Sequence, residues 1–378
     1  MQKVNPSLMK RENKRIVLRY LIETGPHTRT EIAEHTGLAV SAVWRIIDEL
    51  VREGFVEEKG TTTGAKKKAV LYGPRRSFVT SIVVNVEILE TTIAIGFLDG
   101  SWRILERFET SRNFAGFCEK ITKVVKRLRA ELPLEDRTAL VFSLPGIVNS
   151  HDGVLIYAPN LSWENINVSD VFREIGLQVY VENDSKLSLL AETFYMHDVK
   201  SSDVSFFLYF GEGIGGAISV NGKIVKGRNF AAGEVGHVIL DSKKEVEQFL
   251  SVSGLISRVE RKVKLGGTTL REKFSHLVQL WFSNSEAVRE VLEEYLDYVA
   301  IVLRNVLYFL NPGVIVLGGI VNNLWENFGT IVRRKLEVMV VEKVLKDVII
   351  RDTIFKEVPP SLVGGNVLAI ERILREMC

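Results

Sequence analysis

The chain has 378 residues, of which 46% are hydrophobic and 25% charged, a composition typical of a globular protein with two or three domains. It contains no run of about 18 apolar residues, and its polar, basic N-terminus lacks the apolar core of a secretory signal, so we expect no membrane association and a cytoplasmic location. Cys118 and Cys378 are its two cysteines, too few for a disulfide framework or a four-cysteine zinc site.

Charge is unevenly distributed along the chain. Residues 1–77 contain 15 Lys and Arg against 9 Asp and Glu, whereas the remainder contains 34 against 38. A basic segment of this kind is suited to binding a polyanionic partner, whereas the near-neutral or acidic remainder of the chain is not. Because a solvated basic face can also lack a partner, charge alone leaves both interpretations open.

Three helical patterns follow one another in the basic segment. They cover Leu8–Ile22, Arg29–His35 and Val40–Glu53. Thr28, with Glu31 three residues later, predicts an N-terminal capping box for the second helix. A glycine-bearing turn joins the second and third helices, which indicates a helix-turn-helix unit.

The third helix of such a unit enters the major groove with its first residues toward the base edges. The residues predicted to contact DNA from the second and third helices are Arg29, Ser41, Ala42, Trp44 and Arg45. Ser41 and Arg45 can hydrogen-bond to bases or phosphate, and Ala42 can contact a thymine methyl group. Trp44 could instead be a packing residue.

Two strand patterns, at residues 55–59 and 69–72, come after the third helix. The segment between them is rich in Gly and Thr and ends in Lys66, Lys67 and Lys68. Such a hairpin is typical of a wing laid on the phosphate backbone or the minor groove. The alternative is a small helical dimerisation or packing domain, but helix order, turn, wing and charge agree on DNA binding. We therefore predict a winged helix-turn-helix domain over residues 1–73 and a linker over residues 74–77.

The remainder of the chain alternates strand and helix patterns. Strands are predicted at residues 79–86, 91–98, 102–109 and 138–143, with a helix at 114–132, and again at 206–210, 217–220 and 314–317 around a mainly helical stretch. This order predicts two related α/β lobes, residues 78–200 and 201–378, with a ligand site in the cleft between them. The apolar helix Val299–Leu310 is expected to be core or dimer interface.

Several motifs in these lobes occur together in one order. They are residues 144–148 (Leu-Pro-Gly-Ile-Val), 158–163 (Ala-Pro-Asn-Leu-Ser-Trp), 182–184 (Glu-Asn-Asp), 211–217 (Gly-Glu-Gly-Ile-Gly-Gly-Ala), 231–237 (Ala-Ala-Gly-Glu-Val-Gly-His) and 314–319 (Val-Ile-Val-Leu-Gly-Gly). In these motifs the chain resembles the ROK family of repressors and sugar kinases, and Met9–Asn13 resembles its repressor branch. The resemblance implies a winged helix followed by a two-lobed, actin-like ATPase or sugar-kinase core of the ribonuclease H-like type.

The resemblance also implies a sugar pocket. Its residues would be Asn160, Asn183, Asp184, Glu234, His237 and Glu247. Asp184 would bind a sugar hydroxyl and, in a kinase, would be the catalytic base that accepts the proton of the attacking hydroxyl. Carboxylate, amide and imidazole groups together suit a polyol. His237 could contact the sugar or support a residue that does.

The nucleotide side departs from the family pattern. The kinases' Asp-x-Gly-Gly-Thr turn is replaced by Glu87–Thr91, in which Leu89 cannot copy the conformational freedom of glycine. Glu90 and Glu212 would bring negative charge near a triphosphate. The positions that match this degenerate nucleotide site are Glu87, Thr91, Gly213, Gly215, Gly318 and Gly319. Their glycines could equally serve close packing, since a lone glycine-rich loop is weak evidence for a nucleotide.

A third departure concerns metal. The family usually has a cysteine-rich zinc motif after the histidine, but residues 238–246 contain no cysteine, whereas structural zinc requires four Cys or His ligands. We therefore predict no metal and no cofactor, with ATP and magnesium relevant only to a kinase.

Two functions remain open from the sequence. The first is a sugar-responsive repressor, whose partners would be operator DNA, a monosaccharide effector and a second copy of the chain, since twofold operators call for a homodimer or higher oligomer. The second is an ATP-dependent sugar kinase with an appended DNA-binding head, which the retained Asp184 motivates. Gluco-, manno- and xylo-configured sugars are all open, and so is the direction of the response.

Overall fold

The computed structural model describes residues 6–63, 68–132, 134–241, 243–321 and 323–377. They form two compact units. The first comprises residues 1–144, 150–182 and 365–378, and the second comprises residues 145–149 and 183–364. No helix in the described ranges has the length and apolar character needed to cross a bilayer.

The first unit begins with a winged helix. Its elements are α1 (Pro6–Thr24), β1 (His27–Thr28), α2 (Arg29–Thr36), α3 (Val40–Arg52), β2 (Val56–Thr61) and β3 (Val70–Pro74). The three strands form one sheet in the order β1-β3-β2. The predicted helix-turn-helix and hairpin are therefore present.

The capping box predicted for α2 is also present. The Thr28 hydroxyl accepts a hydrogen bond from the Glu31 amide, and the Glu31 carboxylate accepts one from the Thr28 amide at 2.8 Å. The backbone hydrogen bond from Thr28 lowers the pKa of the Glu31 carboxyl group. Gly37, at φ 69°, ends the helix in the left-handed region that glycine tolerates best.

The rest of the first unit is built on a five-stranded sheet. Its elements are β4 (Val79–Val86), β5 (Glu90–Phe97), β6 (Trp102–Glu109), α4 (Phe114–Glu131), β7 (Ala139–Leu144), β9 (Val154–Ala158), β10 (Trp163–Asn167), α5 (Val168–Val171) and β11 (Gln178–Asn183), the last residue of which begins the second unit; β8 (Ile147–Asn149) also belongs to the second unit. The sheet order is β11-β7-β4-β5-β6. β4 is antiparallel to β5 and parallel to β7.

The second unit repeats this arrangement. Its further elements are α6 (Asp184–Tyr195), α7 (His197–Ser201), β12 (Val204–Phe210), β13 (Ile214–Val220), β14 (Lys223–Ile224), β15 (Ile239–Asp241), β16 (Lys244–Glu245), α8 (Val246–Leu250), α9 (Val252–Glu260), α10 (Leu270–Phe282), α11 (Glu286–Leu310), β17 (Val314–Gly319), α12 (Leu324–Met339), α13 (Glu342–Leu345), β18 (Ile349–Asp352) and the start of α14 (Pro360–Glu376). β12 is antiparallel to β13 and parallel to β17. The order β14-β13-β12-β17-β18 thus matches that of the first sheet, and the prediction of two related α/β lobes is confirmed. In α11, residues 299, 300, 302, 303, 306 and 307 are buried in the core of the unit.

The boundaries between the two compact units differ from the lobe boundary predicted after residue 200. Helix α6 belongs to the second unit, where it packs on β12 and β13. The last residues of α14 belong to the first unit, because the Asn366 side chain bonds to Thr80 and Ser81 of β4 and donates to the Phe97 carbonyl. Local sequence patterns do not predict these contacts between elements that are far apart in the sequence.

The winged helix is bonded to the rest of the first unit. Arg19 of α1 forms an ion pair at 2.8 Å with Glu371 of α14. Phe55 stacks on Phe78 with ring centroids 5.3 Å apart. Arg75, in the predicted linker, pairs with Glu135. The head is therefore held at several points rather than suspended on a loose tether.

A buried ion network holds α6 in the second unit. The Glu192 carboxylate is fully buried and lies 2.9 Å from the Arg351 guanidinium, which also contacts Asp198 at 2.8 Å. Glu192 also accepts hydrogen bonds from Thr353 and from the Ile354 amide. The Arg351 hydrogen bond lowers the pKa of the Asp198 carboxyl group.

Arg351→Met should reduce the free energy of unfolding by about 3–5 kcal/mol, because it leaves a buried carboxylate without its cation. Chemical denaturation of both proteins would measure the loss. The double variant Arg351→Met/Glu192→Gln should recover part of the stability. Because the pKa of Asp198 is lowered in the folded protein, the stability that its pairing with Arg351 contributes is present at neutral pH. That contribution is lost as the pH falls below about 4. An unchanged denaturation midpoint would contradict the assignment.

Candidate DNA-binding and effector sites

Helix α3 presents distinct buried and exposed faces. Its apolar residues Val43, Ile46, Ile47 and Leu50 are buried in the head. Ser41 and Arg45 are exposed near its N-terminal end, and Ala42 is partly exposed. Hydrogen-bonding side chains at the exposed start of this helix fit base-edge readout in the major groove.

Arg29 is engaged inside the head. Its guanidinium lies 4.3 Å from the centre of the Trp44 ring and 4.7 Å from that of Tyr72, and it pairs with Asp48 at 2.6 Å. These contacts tie α2 and α3 to the hairpin. Trp44 is still 51% exposed, so its ring both packs on Arg29 and faces solvent. Contact of either residue with DNA stays a prediction.

The predicted wing joins β2 and β3. Lys66 and Lys67 lie outside the described residues, and Lys68, at the edge of the described hairpin, is exposed. The Thr62 amide bonds to the Ala69 carbonyl at 2.9 Å, which closes the described part of the hairpin.

The N-terminus of α6 carries two of the predicted sugar ligands. The Asn183 side chain caps the helix by accepting from the Lys186 amide, and it donates to the Gly146 carbonyl at 2.9 Å. Asp184 is 9% exposed, and its Oδ1 accepts from the Ser185 amide at 2.6 Å. Both side chains are thus fixed by backbone groups, which suits a preformed site.

Glu234 forms a buried ion pair that the sequence analysis did not anticipate. Its carboxylate lies 3.3 Å from the Lys186 ammonium, with side-chain exposures of 13% and 1%. Burial raises the pKa of the Glu234 carboxyl group, and the ion pair with Lys186 opposes that shift. Lys186 stands three residues after Asn183, and a lysine inside an otherwise buried helix was the signal that could have identified it.

Glu247 is held against the start of β13. Its Oε2 accepts a hydrogen bond from the Ile214 amide at 3.0 Å. A Cβ on Gly236 would lie 2.1 Å from the Ile214 carbonyl oxygen, so the segment that carries Glu234 and His237 passes directly against this strand. Asn183, Asp184, Glu234, His237 and Glu247 are all in the second unit, and Lys186 connects Asn183 with Glu234.

His237 and Asn160 lie in more exposed positions. His237 Nδ1 is 3.1 Å from a carboxylate oxygen of Glu245, and its side chain is 46% exposed. Glu245 is a second residue that the sequence analysis missed. Asn160 belongs to the first unit, where it is exposed in the short 3-10 turn Pro159–Leu161.

The turn between β4 and β5 is closed by its own hydrogen bonds. The Thr91 hydroxyl is buried 2.8 Å from the Thr110 hydroxyl, and Thr110 donates to the Glu87 carbonyl at 2.7 Å. Leu89 is 56% exposed at the tip. The hydroxyl and carbonyl that match the family's phosphate turn are thus bonded within the protein.

The glycines of the predicted nucleotide site are in close packing contacts. A Cβ on Gly215 would lie 2.3 Å from the Ser185 hydroxyl, and one on Gly318 2.5 Å from the Phe207 ring. A Cβ on Gly319 would lie 2.1 Å from the Phe210 carbonyl oxygen. Gly213 accepts the Gly211 amide in a turn. Among the residues described, no cluster of three or more His, Cys, Asp or Glu is placed to hold a metal ion.

Comparison with known proteins identifies the family. The ROK family profile matches residues 83–370, and a winged helix-turn-helix DNA-binding profile matches residues 10–57. The chain belongs to the ROK family. The winged-helix match covers α2 and α3, which carry the predicted DNA contacts of this ROK protein.

Three proteins illustrate what this chain is similar to. A protein named xylose repressor from Caldicellulosiruptor bescii is 23% identical over 88% of each chain. The crystal structure of a ROK family transcriptional regulator, described as a homologue of the Escherichia coli MLC protein, covers 98% of each chain with a TM-score of 0.74 at 19% identity. A ROK family glucokinase from Streptomyces griseus, crystallised with glucose and AMPPNP, covers 77% of this chain and 99% of its own with a TM-score of 0.64 at 20% identity.

Replacing Lys66, Lys67 and Lys68 with Ala should weaken binding to all DNA sequences, because a wing contacts phosphates rather than bases. For each phosphate that no longer has a lysine partner, the slope of log affinity against log salt should also fall by about 0.9. Titration of DNA from upstream of the protein's own gene, at several salt concentrations, would measure both effects. Lys123 and Lys126, exposed on α4, provide the control double variant. Equal losses of affinity in the two variants would contradict binding of DNA by the wing.

Proposed function

We propose that this ROK protein is a sugar-responsive transcriptional repressor. The winged helix binds operator DNA, and a polar cluster of the second unit, made of Asn183, Asp184, Glu234, His237 and Glu247, binds a monosaccharide effector. The observation that carries this proposal is that one chain joins an exposed recognition helix to a fixed, buried set of carboxylate and amide groups. The name of the Caldicellulosiruptor relative supports it and makes xylose the first sugar to test.

The charges of the cluster favour a neutral sugar. Asp184, Glu234 and Glu247 contribute three carboxylates, and Lys186 forms an ion pair with Glu234. A sugar hydroxyl can donate to a carboxylate, whereas a sugar phosphate would be repelled by it. We therefore propose an unphosphorylated effector.

The response follows from differential affinity. Sugar that binds one arrangement of the protein more tightly shifts the population toward that arrangement, and operator DNA that prefers the other arrangement is released. A coupling of this type typically changes DNA affinity by about 5–150-fold. We also propose that two copies bind one twofold operator.

An ATP-dependent sugar kinase is the second candidate. The retained Asp184 and the likeness to a glucokinase fold favour it. Against it stand Leu89 and Glu90 in the turn after β4 and Glu212 in the turn before β13, because phosphate cradles need free backbone N–H donors in neutral or positive surroundings. We therefore expect neither ATP nor metal to be required for the response.

A thermal-shift screen should find a neutral sugar that raises the melting temperature. A ligand at 100 times its Kd stabilises by about 2.7 kcal/mol, or several degrees. The same sugar as its phosphate should give a smaller shift, and EDTA should change neither. Asp184→Asn should weaken sugar binding about 10–100-fold by removing a charged acceptor, while Asp203→Asn, on the exposed surface, should not. A larger shift with the phosphate would contradict the neutral-effector proposal.

The identified sugar should lower the affinity for upstream DNA, which an electrophoretic mobility titration would measure. Incubation of the protein with ATP, magnesium and the same sugar should give no phosphate transfer above that of the Asp184→Asn variant. Transfer at about 1 s⁻¹ or faster, a rate typical of enzymes, that Asp184→Asn abolishes would establish the kinase instead.

A further inference from the structure

The ammonium group of Lys186 is, with the Glu192 carboxylate, among the most deeply buried charges of the second unit. Its side chain is 1% exposed. It lies on α6, three residues after the Asn183 cap and two after Asp184. A buried ammonium is costly unless it is paired and hydrogen-bonded, so its partners indicate what it is held there to do.

Both partners belong to the segment that follows β14. Lys186 Nζ donates to the Phe230 carbonyl at 3.1 Å and to Glu234 Oε1 at 3.3 Å. Phe230 has φ 64°, a left-handed conformation that an aromatic residue adopts at a cost. One side chain of α6 therefore anchors this segment at a strained residue and at the carboxylate four residues later.

We infer that Lys186 is a positioning residue of the effector site, which keeps the Glu234 carboxylate charged and aimed to accept hydrogen bonds from the sugar without itself touching the sugar. This inference rests on the proposed function. Burial alone would favour the protonated acid, which offers a donor and fewer acceptor positions. The ion pair to Lys186 keeps the acceptor form available.

Several charged groups around Glu234 influence its pKa, and this pKa is what removal of the Lys186 ammonium would change. Lys186 acts on it from α6, and His237 acts on it from the next turn. Glu245 pairs with His237 from β16, and Asp184 and Glu247 are the other carboxylates of the cluster. Without Lys186 the pKa of Glu234 rises, so the carboxylate is the major form only at higher pH.

The test is calorimetric titration of the full chain with the sugar found by thermal shift, from about pH 6 to about pH 8.5. For Lys186→Met we expect a loss of about 10-fold or more at pH 6 that becomes smaller as the pH rises, since one pKa unit corresponds to a tenfold change in ionisation. Lys186→Arg, which retains the charge, should keep the wild-type pH profile. Ratios to the wild type at each pH remove the contribution of His237.

The Glu234→Gln background covers the case in which Lys186→Met fails to fold. In that background Lys186 has no Glu234 carboxylate to hold, so adding Lys186→Met should change sugar affinity by less than about threefold. A further loss of about tenfold in that background, or a loss in Lys186→Met that is equal at all pH values, would overturn the inference alone. Absence of any sugar response in the wild type would instead overturn the proposed function, and the inference with it.

Discussion

The candidate effector site depends on two places where backbones approach without room for a side chain. A Cβ on Gly216 would lie 2.6 Å from the Gly233 carbonyl oxygen, and one on Gly236 would lie 2.1 Å from that of Ile214. Any larger residue would force the segment around Glu234 away from β13. Gly216 and Gly236 thus fix the position of the segment that carries Glu234 relative to β13.

Charge pairing completes what close packing begins. Two ion networks on helix α6 hold the site in place. Lys186 belongs to the one near the start of the helix, and Glu192 belongs to the one near its end. Each network joins α6 to a segment far away in sequence. Buried ion pairs contribute little net stability compared with apolar packing, and their better-attested use is to specify one arrangement among several. A sugar sensor needs such specification, because its carboxylates must stay correctly placed when no ligand is bound.

Much of the fold was predictable because its helices and strands follow from the local periodicity of apolar residues. The apolar spacing of α3, the capping box at Thr28 and the strands at residues 79–86 and 314–317 all follow from patterns a few residues long. The partner of Glu234 was not predictable in this way, because Lys186 lies 48 residues earlier in the chain. Arg29 shows the same limit, since a basic residue in a DNA-binding head suggests phosphate contact, whereas its neighbours Trp44 and Tyr72 become visible only in three dimensions. The candidate site residues themselves came from motif resemblance, and their hydrogen bonds came from the structure.

Helix α14 has a consequence for synthesis of the protein. It begins in the second unit and ends in the first, where Asn366 bonds to β4 and Glu371 pairs with Arg19 of the winged helix. Because chains emerge from the ribosome N-terminus first, Arg19 of the DNA-binding head is made 352 residues before the Glu371 that supports it. A nascent or prematurely terminated chain would carry a head without its anchor. Synthesis of α14 is thereby coupled to the placement of the segment that reads DNA.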